Sequence, residues 1–389
     1  MRMQETEGGS PVASLETPFL RAIGLVLTYR CQAACAHCVI RAGPRRREAM
    51  SIEAACDWIR QAASYRDGQI RILSLTGGEP FLNLHQLESV ATVAASVGLS
   101  VAVATNGFWA GELGEAIRLL RRLTAVHVLS ISTDAYHLPY VPLEHVKNAI
   151  RAAQSCGRPY NVVLCTEDKE DEAYRRIYNA LLDVTRAETI RTTLTHGSGR
   201  RGKVAESGKR RWRLTPPREA CASAGAPLIL PNGRIVACAG PIMGLACRHA
   251  LMLGNVREEP LAEILDRAET NTILHALRLW GPQALIALLK ENGFEACLPK
   301  RYVDGSLCDT CYQLMARNEV RDHLNEAALS FQLRRKVAYG RLYYLEETQM
   351  LERLVVDGDW RSGTTSAPDV GLVSPRSFSP RTTNTPHRN

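Results

Sequence analysis

Residues 31–38 read Cys31-Gln-Ala-Ala-Cys35-Ala-His-Cys38, and this stretch decides how the rest of the chain is interpreted. Three thiolates in a short loop suit an iron–sulfur cluster of the four-iron type, in which each iron takes one sulfur ligand from the protein. No further cysteine follows until Cys56. A cluster with three protein ligands keeps one iron open for a substrate or cofactor, as catalytic metal sites do. The spacing of the first pair argues against structural zinc, which uses CxxC pairs.

The sequence around this loop resembles one known family. The run from Leu27 to Cys38 is similar to the cluster loop of radical S-adenosylmethionine (SAM) enzymes, whose motif is CxxxCxΦC with an aromatic residue at Φ, here His37. Further along, the segment Thr76-Gly-Gly-Glu-Pro80 resembles the family's GGE motif. The resemblance implies a partial (β/α)6 barrel, SAM bound to the open iron, and reductive cleavage of SAM to a 5′-deoxyadenosyl radical.

Strand and helix patterns alternate through the first half of the chain. Six strand–helix pairs predict an α/β fold with a parallel sheet, too few for a closed eightfold barrel and in agreement with the partial, TIM-like barrel that the resemblance implies. The cluster loop follows the first strand, at the end where barrel enzymes place their active sites. We assign residues 19–196 to this barrel, with predicted strands at 19–28, 70–76, 100–105, 127–132, 160–165 and 189–195.

The resemblance also implies which residues contact SAM. The backbone of Gly77 and Gly78, together with Glu79, would hold the methionyl amino group of SAM. Asn106 follows the third strand, at a position where the family places a polar residue that faces SAM or the substrate. Two polar residues after the fourth strand match a pair that often contacts the SAM ribose, although a loop cap is an equal alternative for the second of them. This pair is Ser132 and Asp134; Tyr136 and His137 lie where they could reach the substrate.

A second set of cysteines lies beyond the barrel. Cys221 and Cys238 flank a predicted hairpin with its turn at Pro231-Asn-Gly, and Cys308 and Cys311 form a CxxC pair. The pattern resembles the SPASM and twitch extensions of radical SAM enzymes, which begin with C-x(9–15)-G-x4-C. It then departs from them, because Arg317 stands where the family pattern has another cysteine. The segment assigned to this cysteine-rich auxiliary domain is 216–320.

One auxiliary four-iron cluster is the main interpretation of this set, with Cys221, Cys238, Cys308 and Cys311 as its ligands. Two fully ligated clusters would need about eight cysteines, and only six lie in this half of the chain. The remaining two, Cys247 and Cys297, would replace one of the four ligands or hold a second cluster with an open iron. A structural zinc bound by two cysteine pairs stays open as an alternative.

The other segments carry weaker signals. A glycine-rich basic linker at 197–215 is either a flexible connection or a binding site for an acidic substrate or the SAM carboxylate. Apolar residues at helical spacing between 261 and 289 predict an insert that covers the barrel mouth, and 321–355 predicts further helices. Residues 1–18 and 356–389 have the composition of disordered termini. Three isolated cysteines are predicted to be core residues: Cys56, Cys156 and Cys165.

Composition excludes several classes of protein. The 389-residue chain has a net charge of +8, which permits an acidic partner, and no nucleic-acid motif. It has neither a signal peptide nor an apolar run that could span a bilayer, so we expect a cytoplasmic protein without membrane partners. Twelve cysteines in such a protein indicate metal ligation rather than disulfides.

The function predicted from these observations is that of a radical SAM oxidoreductase. Enzymes with the extension that this chain resembles frequently modify ribosomally made peptides, so oxidation or crosslinking of a peptide is the first hypothesis. The short N-terminus leaves no room for a peptide-binding module, which suggests a separate recognition protein. A small substrate, such as a sugar alcohol or an amino acid, is the alternative. The family also implies an electron donor of the flavodoxin or ferredoxin type. A non-catalytic zinc or iron–sulfur scaffold is a third hypothesis.

Overall fold

The computed structural model describes residues 19–195, 200 and 210–356. The predicted disordered segments at 1–18 and 357–389, and the linker residues 196–199 and 201–209, lie outside the described residues.

One mixed sheet of nine strands organises the fold, in the order β10-β9-β8-β1-β2-β3-β4-β5-β6. Strands β1 to β6 are parallel neighbours in chain order, as the alternating pattern predicted. Strand β1 is almost wholly buried, which explains its continuous apolar sequence. The sheet does not close, so the predicted α/β fold with an open barrel is confirmed. The six strands are Ala22–Thr28 (β1), Ile72–Gly77 (β2), Ser100–Thr105 (β3), Val128–Thr133 (β4), Tyr160–Thr166 (β5) and Ile190–Leu194 (β6).

Five helices cross between these strands. Helix α1 begins where predicted, because the Ser51 hydroxyl oxygen accepts a hydrogen bond from the Ala54 amide and so caps the first turn. Cys56 lies buried in the same helix, as predicted for a core residue. The bounds are Ile52–Ser64 (α1), Leu84–Ser96 (α2), Leu113–Arg122 (α3), Leu143–Ser155 (α4) and Glu172–Leu182 (α5).

The second half of the chain extends the same sheet. Strand β8 pairs in parallel with β1, with Leu228 opposite Gly24, and a tight turn returns the chain as β9. The predicted turn is present: Gly233 has φ of +86°, a conformation that favours glycine, and its amide donates to the Leu230 carbonyl. A separate two-stranded ribbon joins β7 to β11. These strands are Trp212–Arg213 (β7), Leu228–Ile229 (β8), Arg234–Val236 (β9), Met252–Asn255 (β10) and Tyr302–Val303 (β11).

Seven helices complete the described part of the chain. The segment 313–350, which the sequence suggested as one or two long helices, contains the end of α9, then α10, α11 and the start of α12. The bounds are Leu261–Glu269 (α6), Thr272–Trp280 (α7), Gln283–Glu291 (α8), Leu307–Met315 (α9), Asn318–Ala327 (α10), Phe331–Leu345 (α11) and Met350–Val356 (α12).

The start of the helical insert lies at the amino end of the sheet, so its predicted position over the barrel mouth was wrong for α6. The Glu269 carboxylate, at the end of α6, accepts hydrogen bonds from the Phe19 amide at 2.7 Å and the Leu20 amide at 3.0 Å. Both amides immediately precede β1. Tyr65, which follows α1, donates to Asp266 of the same insert helix. The Glu269 carboxylate is buried and needs hydrogen-bond donors. The amides that precede β1 supply them, and this holds the end of α6 at the amino end of the sheet.

No single described helix is long and apolar enough to cross a membrane. Helices α7 and α8 reach the length and apolar composition of a membrane span only when taken together, and the pair is bent by 118°.

Candidate active site

A cavity of about 380 Å³ opens at the carboxyl ends of the parallel strands. The cluster loop after β1 forms one wall, and polar residues at the ends of β2 to β6 form the opposite side. Barrel enzymes bind substrates at this end of the sheet. The lining includes Cys31, Cys35, His37, Cys38, Thr76, Gly77, Gly78, Thr105, Asn106, Ser130, Ser132, Asp134, His137, Cys165, Thr193, Thr195 and Met243.

The three cysteines of the loop all line this cavity, as the spacing predicted. Backbone bonds shape the loop: the Cys31 amide donates to the Gly43 carbonyl at 3.2 Å, and the Gly43 amide donates to the Tyr29 carbonyl at 3.1 Å. Burial raises the pKa of Cys31 to about 12 and raises that of Cys38. Buried thiols of this kind need a cationic centre to hold them as thiolates, which a metal cluster supplies.

The spacing of the three thiols also bears on which metal they fit. No group of three cysteine sulfurs among the described residues has all its members within 4.8 Å of one another. A zinc ion with bonds of about 2.3 Å would bring its sulfur ligands to about 3.8 Å from each other. A four-iron cluster spreads its ligands further apart, because each thiolate binds a different iron. The loop supplies three thiols around one cavity, which fits a four-iron cluster with one open iron.

Two glycines hold the end of β2 against the cluster loop. A Cβ atom on Gly78 would lie 2.2 Å from the Arg30 carbonyl oxygen, and one on Gly77 would lie 2.5 Å from the Thr28 carbonyl oxygen. Gly77 also has φ of +154°, which other residues rarely adopt. Only glycine permits this contact, so the two residues bring the GGE segment and the cysteines to one cavity, as the resemblance implied.

Glu79 faces the protein rather than the cavity. It is fully buried, and its carboxylate accepts hydrogen bonds from the Asn106 amide at 2.7 Å, the Thr105 hydroxyl at 2.8 Å and the Phe81 amide at 3.1 Å. Burial raises the pKa of Glu79 to about 7, although the three hydrogen-bond donors act to lower it. Glu79 is not among the lining residues. Its contact with the SAM amino group stays a prediction, and in this structure it positions the end of β3.

Asn106 connects that end of β3 to the cluster loop. Its side-chain amide nitrogen lies 3.7 Å from the Cys31 sulfur as a hydrogen-bond donor. Its oxygen accepts from Gln32 at 2.9 Å. The predicted polar residue after β3 therefore lies in the cavity wall and contacts the Cys31 thiol.

Asp134 is the centre of a buried polar group. One carboxylate oxygen accepts from the amides of Tyr136 and His137, at 2.8 and 3.0 Å. The other lies 2.9 Å from His137 Nδ1 and 3.4 Å from His37 Nε2. Burial alone would raise the pKa of Asp134, but the neighbouring His137 lowers it below its usual value. Contact between Asp134 and the SAM ribose stays a prediction, and it would require one imidazole to move.

The pKa values of His37 and His137 shift in opposite directions although the two rings face the same carboxylate. Burial lowers the pKa of His37, the residue at the Φ position, whose ring packs on Tyr136 at 4.8 Å. Burial would also lower the pKa of His137, but Asp134 and a contact with the Cys35 thiol raise it well above its usual value. His137 therefore contacts one of the three loop thiols directly.

Two features of the cavity were not predicted. Cys165 lines the cavity near the carboxyl end of β5, so its assignment to the core was wrong; its sulfur lies within 4.8 Å of ligand atoms of His37 and Asp134. Its place next to the end of a predicted strand was the signal that could have identified it. Arg200, from the basic linker, donates to the Cys35 carbonyl at 3.4 Å and to the Ala42 carbonyl. Its described contacts are thus with the cluster loop.

A second group of four thiols lines a small apolar cavity between β9, α7 and α9. Cys221 and Cys238 come from the two sides of the β8–β9 hairpin, and Cys308 and Cys311 from the first turns of α9. Burial raises the pKa of Cys238 and of Cys311, and it raises the pKa of Cys308 to about 11. The structure therefore brings together the four cysteines that the sequence singled out, and whether they hold a four-iron cluster or a zinc ion stays a prediction.

Cys247 and Cys297 do not line this cavity. Cys297 lies in a short helical turn before β11, where its carbonyl accepts from the Arg317 guanidinium. A role for either as a ligand stays a prediction.

Two comparisons with known proteins concern the segment that holds this site. The family model described as "Radical SAM superfamily" matches residues 25–178, which cover the cluster loop and strands through β5. A protein of Bacillus subtilis (strain 168), named "Putative peptide biosynthesis protein YydG", is 20% identical over 300 residues, covering 76% of this chain and 92% of that protein.

Two solved structures resemble the chain. "Native anSMEcpe with bound AdoMet" has a TM-score of 0.47 at 12% identity, covering 87% of this chain and 100% of that one. "Crystal structure of BtrN in complex with AdoMet and 2-DOIA" has a TM-score of 0.36 at 14% identity, covering 67% and 85%. The radical SAM family match thus covers the segment that carries the three thiols around the cavity at the strand ends, so residues 25–178 are similar to a radical SAM domain.

Proposed function

We propose that this protein is a radical SAM oxidoreductase that modifies a peptide, by dehydrogenation or by forming a crosslink. The observation that carries the proposal is the presence of two separate sets of thiols, three in the cavity at the strand ends and four in the apolar cavity beside it. The first set supports radical chemistry, and the second supports oxidation. The name of the Bacillus subtilis relative supports a peptide as the substrate.

Cys31, Cys35 and Cys38 would hold the catalytic four-iron cluster. When bound there with SAM, this cluster supplies reductive cleavage of SAM to a 5′-deoxyadenosyl radical that removes hydrogen from the substrate. The protein's own contribution is positioning. Asn106 donates to one ligand sulfur, and His137 contacts another. Donors to ligand sulfurs tune the potential of such clusters.

The polar strand ends would bind SAM and orient it. The backbone of Gly77 and Gly78 and the Ser132 hydroxyl all line the cavity. Ser132 donates to the Thr105 carbonyl at 3.3 Å, which fixes its position at the end of β4. The apolar residues nearby, including Met243, would help to exclude water from a reactive radical.

Cys221, Cys238, Cys308 and Cys311 would hold one auxiliary four-iron cluster. The apolar lining, which includes Leu274 and Leu277, would suit a cluster that takes one electron from the substrate radical, away from solvent, and so completes a two-electron oxidation. The proposal includes a flavodoxin or ferredoxin-type donor for the catalytic cluster and a separate peptide-recognition protein. Both rest on the family resemblance.

The test begins with anaerobic reconstitution. Iron and sulfide are added, iron per chain is counted, and the protein is reduced with dithionite in the presence of SAM. We expect about eight irons per chain, for two four-iron clusters, and formation of 5′-deoxyadenosine. About four irons with 5′-deoxyadenosine would remove the auxiliary cluster from the proposal.

The substrate is tested in the same reaction with peptides encoded beside the gene. A peptide product that has lost hydrogen, together with a stoichiometric amount of 5′-deoxyadenosine, supports the proposal. A fully loaded protein that yields no 5′-deoxyadenosine with or without peptide would instead indicate the scaffold hypothesis.

A further inference from the structure

A third cavity, with a basic lining, lies on the far side of α9. We name it the Arg210 cavity; its volume is about 460 Å³. Side chains from the β7–β11 ribbon, from the segment before β11 and from α9 form its walls. The residues that the argument uses are Arg210, Trp212, Lys300, Arg301, Tyr312 and Arg317.

Arg210 has buried donor atoms that a ligand in this cavity could pair with. Its side chain lines the cavity and is only 7% exposed. Two of its guanidinium nitrogens, Nε and Nη1, are buried without a hydrogen-bond partner in the described part of the chain. The arginine side chain stays charged in proteins, and a buried charge without a partner is costly. An anionic group in the cavity would remove this cost.

The surrounding charges favour the same kind of ligand. Lys300 and Arg301 line the cavity, and the Arg301 guanidinium lies 4.2 Å from the centre of the Trp212 ring. Arg317 adds a fourth cation, and Asp309 is the one carboxylate among the described lining residues. The net charge of the lining is therefore about +3, from four cations and one anion.

The lining also has an apolar part. Trp212, Tyr312 and Leu298 provide aromatic and aliphatic surface next to the cations. Such a mixture suits a peptide segment, whose acidic side chains pair with arginine and whose apolar side chains pack on the rings. A free inorganic anion would use the cations alone.

The position of the cavity connects it to both thiol sites. Arg211, next to Arg210, pairs with Asp168 in the loop after β5 at 3.2 Å. A Cβ atom on Gly305, just after β11, would lie 3.5 Å from Leu194 at the end of β6. On the other side, α9 carries Cys308 and Cys311. The Arg210 cavity therefore lies beside the mouth of the barrel.

We infer that the Arg210 cavity binds an acidic segment of the peptide substrate and so holds the peptide next to the barrel mouth. This inference rests on the proposed function, because it takes the substrate to be a peptide. Arg210 forms a charge-assisted pair with an Asp or Glu side chain of that segment.

The test measures peptide binding by fluorescence anisotropy with the full-length, reconstituted protein at physiological salt. The probe is a short fluorescein-labelled peptide that alternates Glu and Leu. The same peptide with Gln in place of Glu is its control. We expect the acidic peptide to bind and the Gln peptide to bind at least about tenfold more weakly.

Variants then locate the site. Arg210→Gln should weaken binding of the acidic peptide by about tenfold or more, and Arg210→Lys should recover part of the affinity. Arg335→Gln is the matched control, because Arg335 is an exposed arginine on α11 and its loss changes the net charge equally. Iron content and the thermal midpoint show whether each variant is folded.

Three results would overturn the inference. Equal weakening in the Arg210 and Arg335 variants would show non-specific attraction to a basic protein. Displacement of the peptide by millimolar phosphate, with unchanged affinity for the Gln peptide, would assign the site to a free oxyanion. A wild-type protein that binds no acidic peptide yet forms 5′-deoxyadenosine would contradict this inference alone and leave the proposed function standing.

Discussion

The His137 Nδ1 atom lies 2.9 Å from the Asp134 Oδ2 atom, and the same imidazole contacts the Cys35 thiol. One buried carboxylate thereby orients a hydrogen-bond donor toward Cys35, which the proposed function makes a ligand of the catalytic cluster. Groups that contact metal ligands set the orientation of those ligands and the potential of the metal.

We therefore predict that His137→Leu lowers the rate of SAM cleavage by about 10–100-fold, which is the usual effect of removing a side chain that contacts a metal ligand. The potential of the catalytic cluster should fall, because a donor to its sulfur ligand is lost. Redox titration followed by electron paramagnetic resonance measures this shift. His137→Gln keeps a hydrogen-bond donor, so its cluster potential should lie between those of the wild type and His137→Leu. A wild-type potential in His137→Leu would show that the contact with Cys35 has no electronic role.

Cys35 is the middle one of the three loop cysteines that we propose as cluster ligands. Cys35→Ala should abolish SAM cleavage and lower iron by about four per chain, because two thiolates do not hold a four-iron cluster. Far-ultraviolet circular dichroism should stay unchanged, since the loop lies outside the helices and strands. The matched variant is Cys165→Ser, at a cysteine that lines the same cavity outside the loop. It should keep wild-type iron, and loss of iron there would mean that the cluster ligands are wrongly assigned.

The four thiols of the apolar cavity give a third prediction. Cys308→Ala should lower iron content by up to about four per chain while SAM cleavage without peptide continues. The control is Cys247→Ala, because Cys247 does not line that cavity. Iron counting and Mössbauer spectra distinguish the two clusters. Equal iron in Cys308→Ala and the wild type would argue for zinc or for no metal at this site.

Glu269 provides a test of the fold itself. Its carboxylate is 8% exposed and accepts from the two backbone amides that precede β1. Glu269→Ala should lower the free energy of unfolding by about 2 kcal/mol or more, because two buried amides lose a charged acceptor. The control is Glu263→Ala, an exposed carboxylate on the same helix. Denaturant midpoints of the two variants, measured anaerobically on loaded protein, should differ; equal midpoints would mean that water replaces the lost acceptor.

Patterns local to the sequence were enough to predict the parallel strands and the cysteine loop at residues 31–38. The alternation of apolar strands and amphipathic helices predicted six parallel strands, which the structure contains. The three cysteines of residues 31–38 lie so close in the chain that any compact loop brings them together. The glycines of the GGE segment follow the next strand, and parallel strands end at one edge of the sheet.

Contacts between distant parts of the chain were decided only by the tertiary structure. Cys165 was assigned to the core because its neighbours are apolar or small, yet it lines the cavity, since a strand's last residues project from the sheet edge. The insert helix α6 lies at the amino end of β1, because Glu269 finds its donors there. Sequence patterns report the faces of helices and strands, whereas pairing over some 250 residues depends on which buried polar groups satisfy each other in the folded chain.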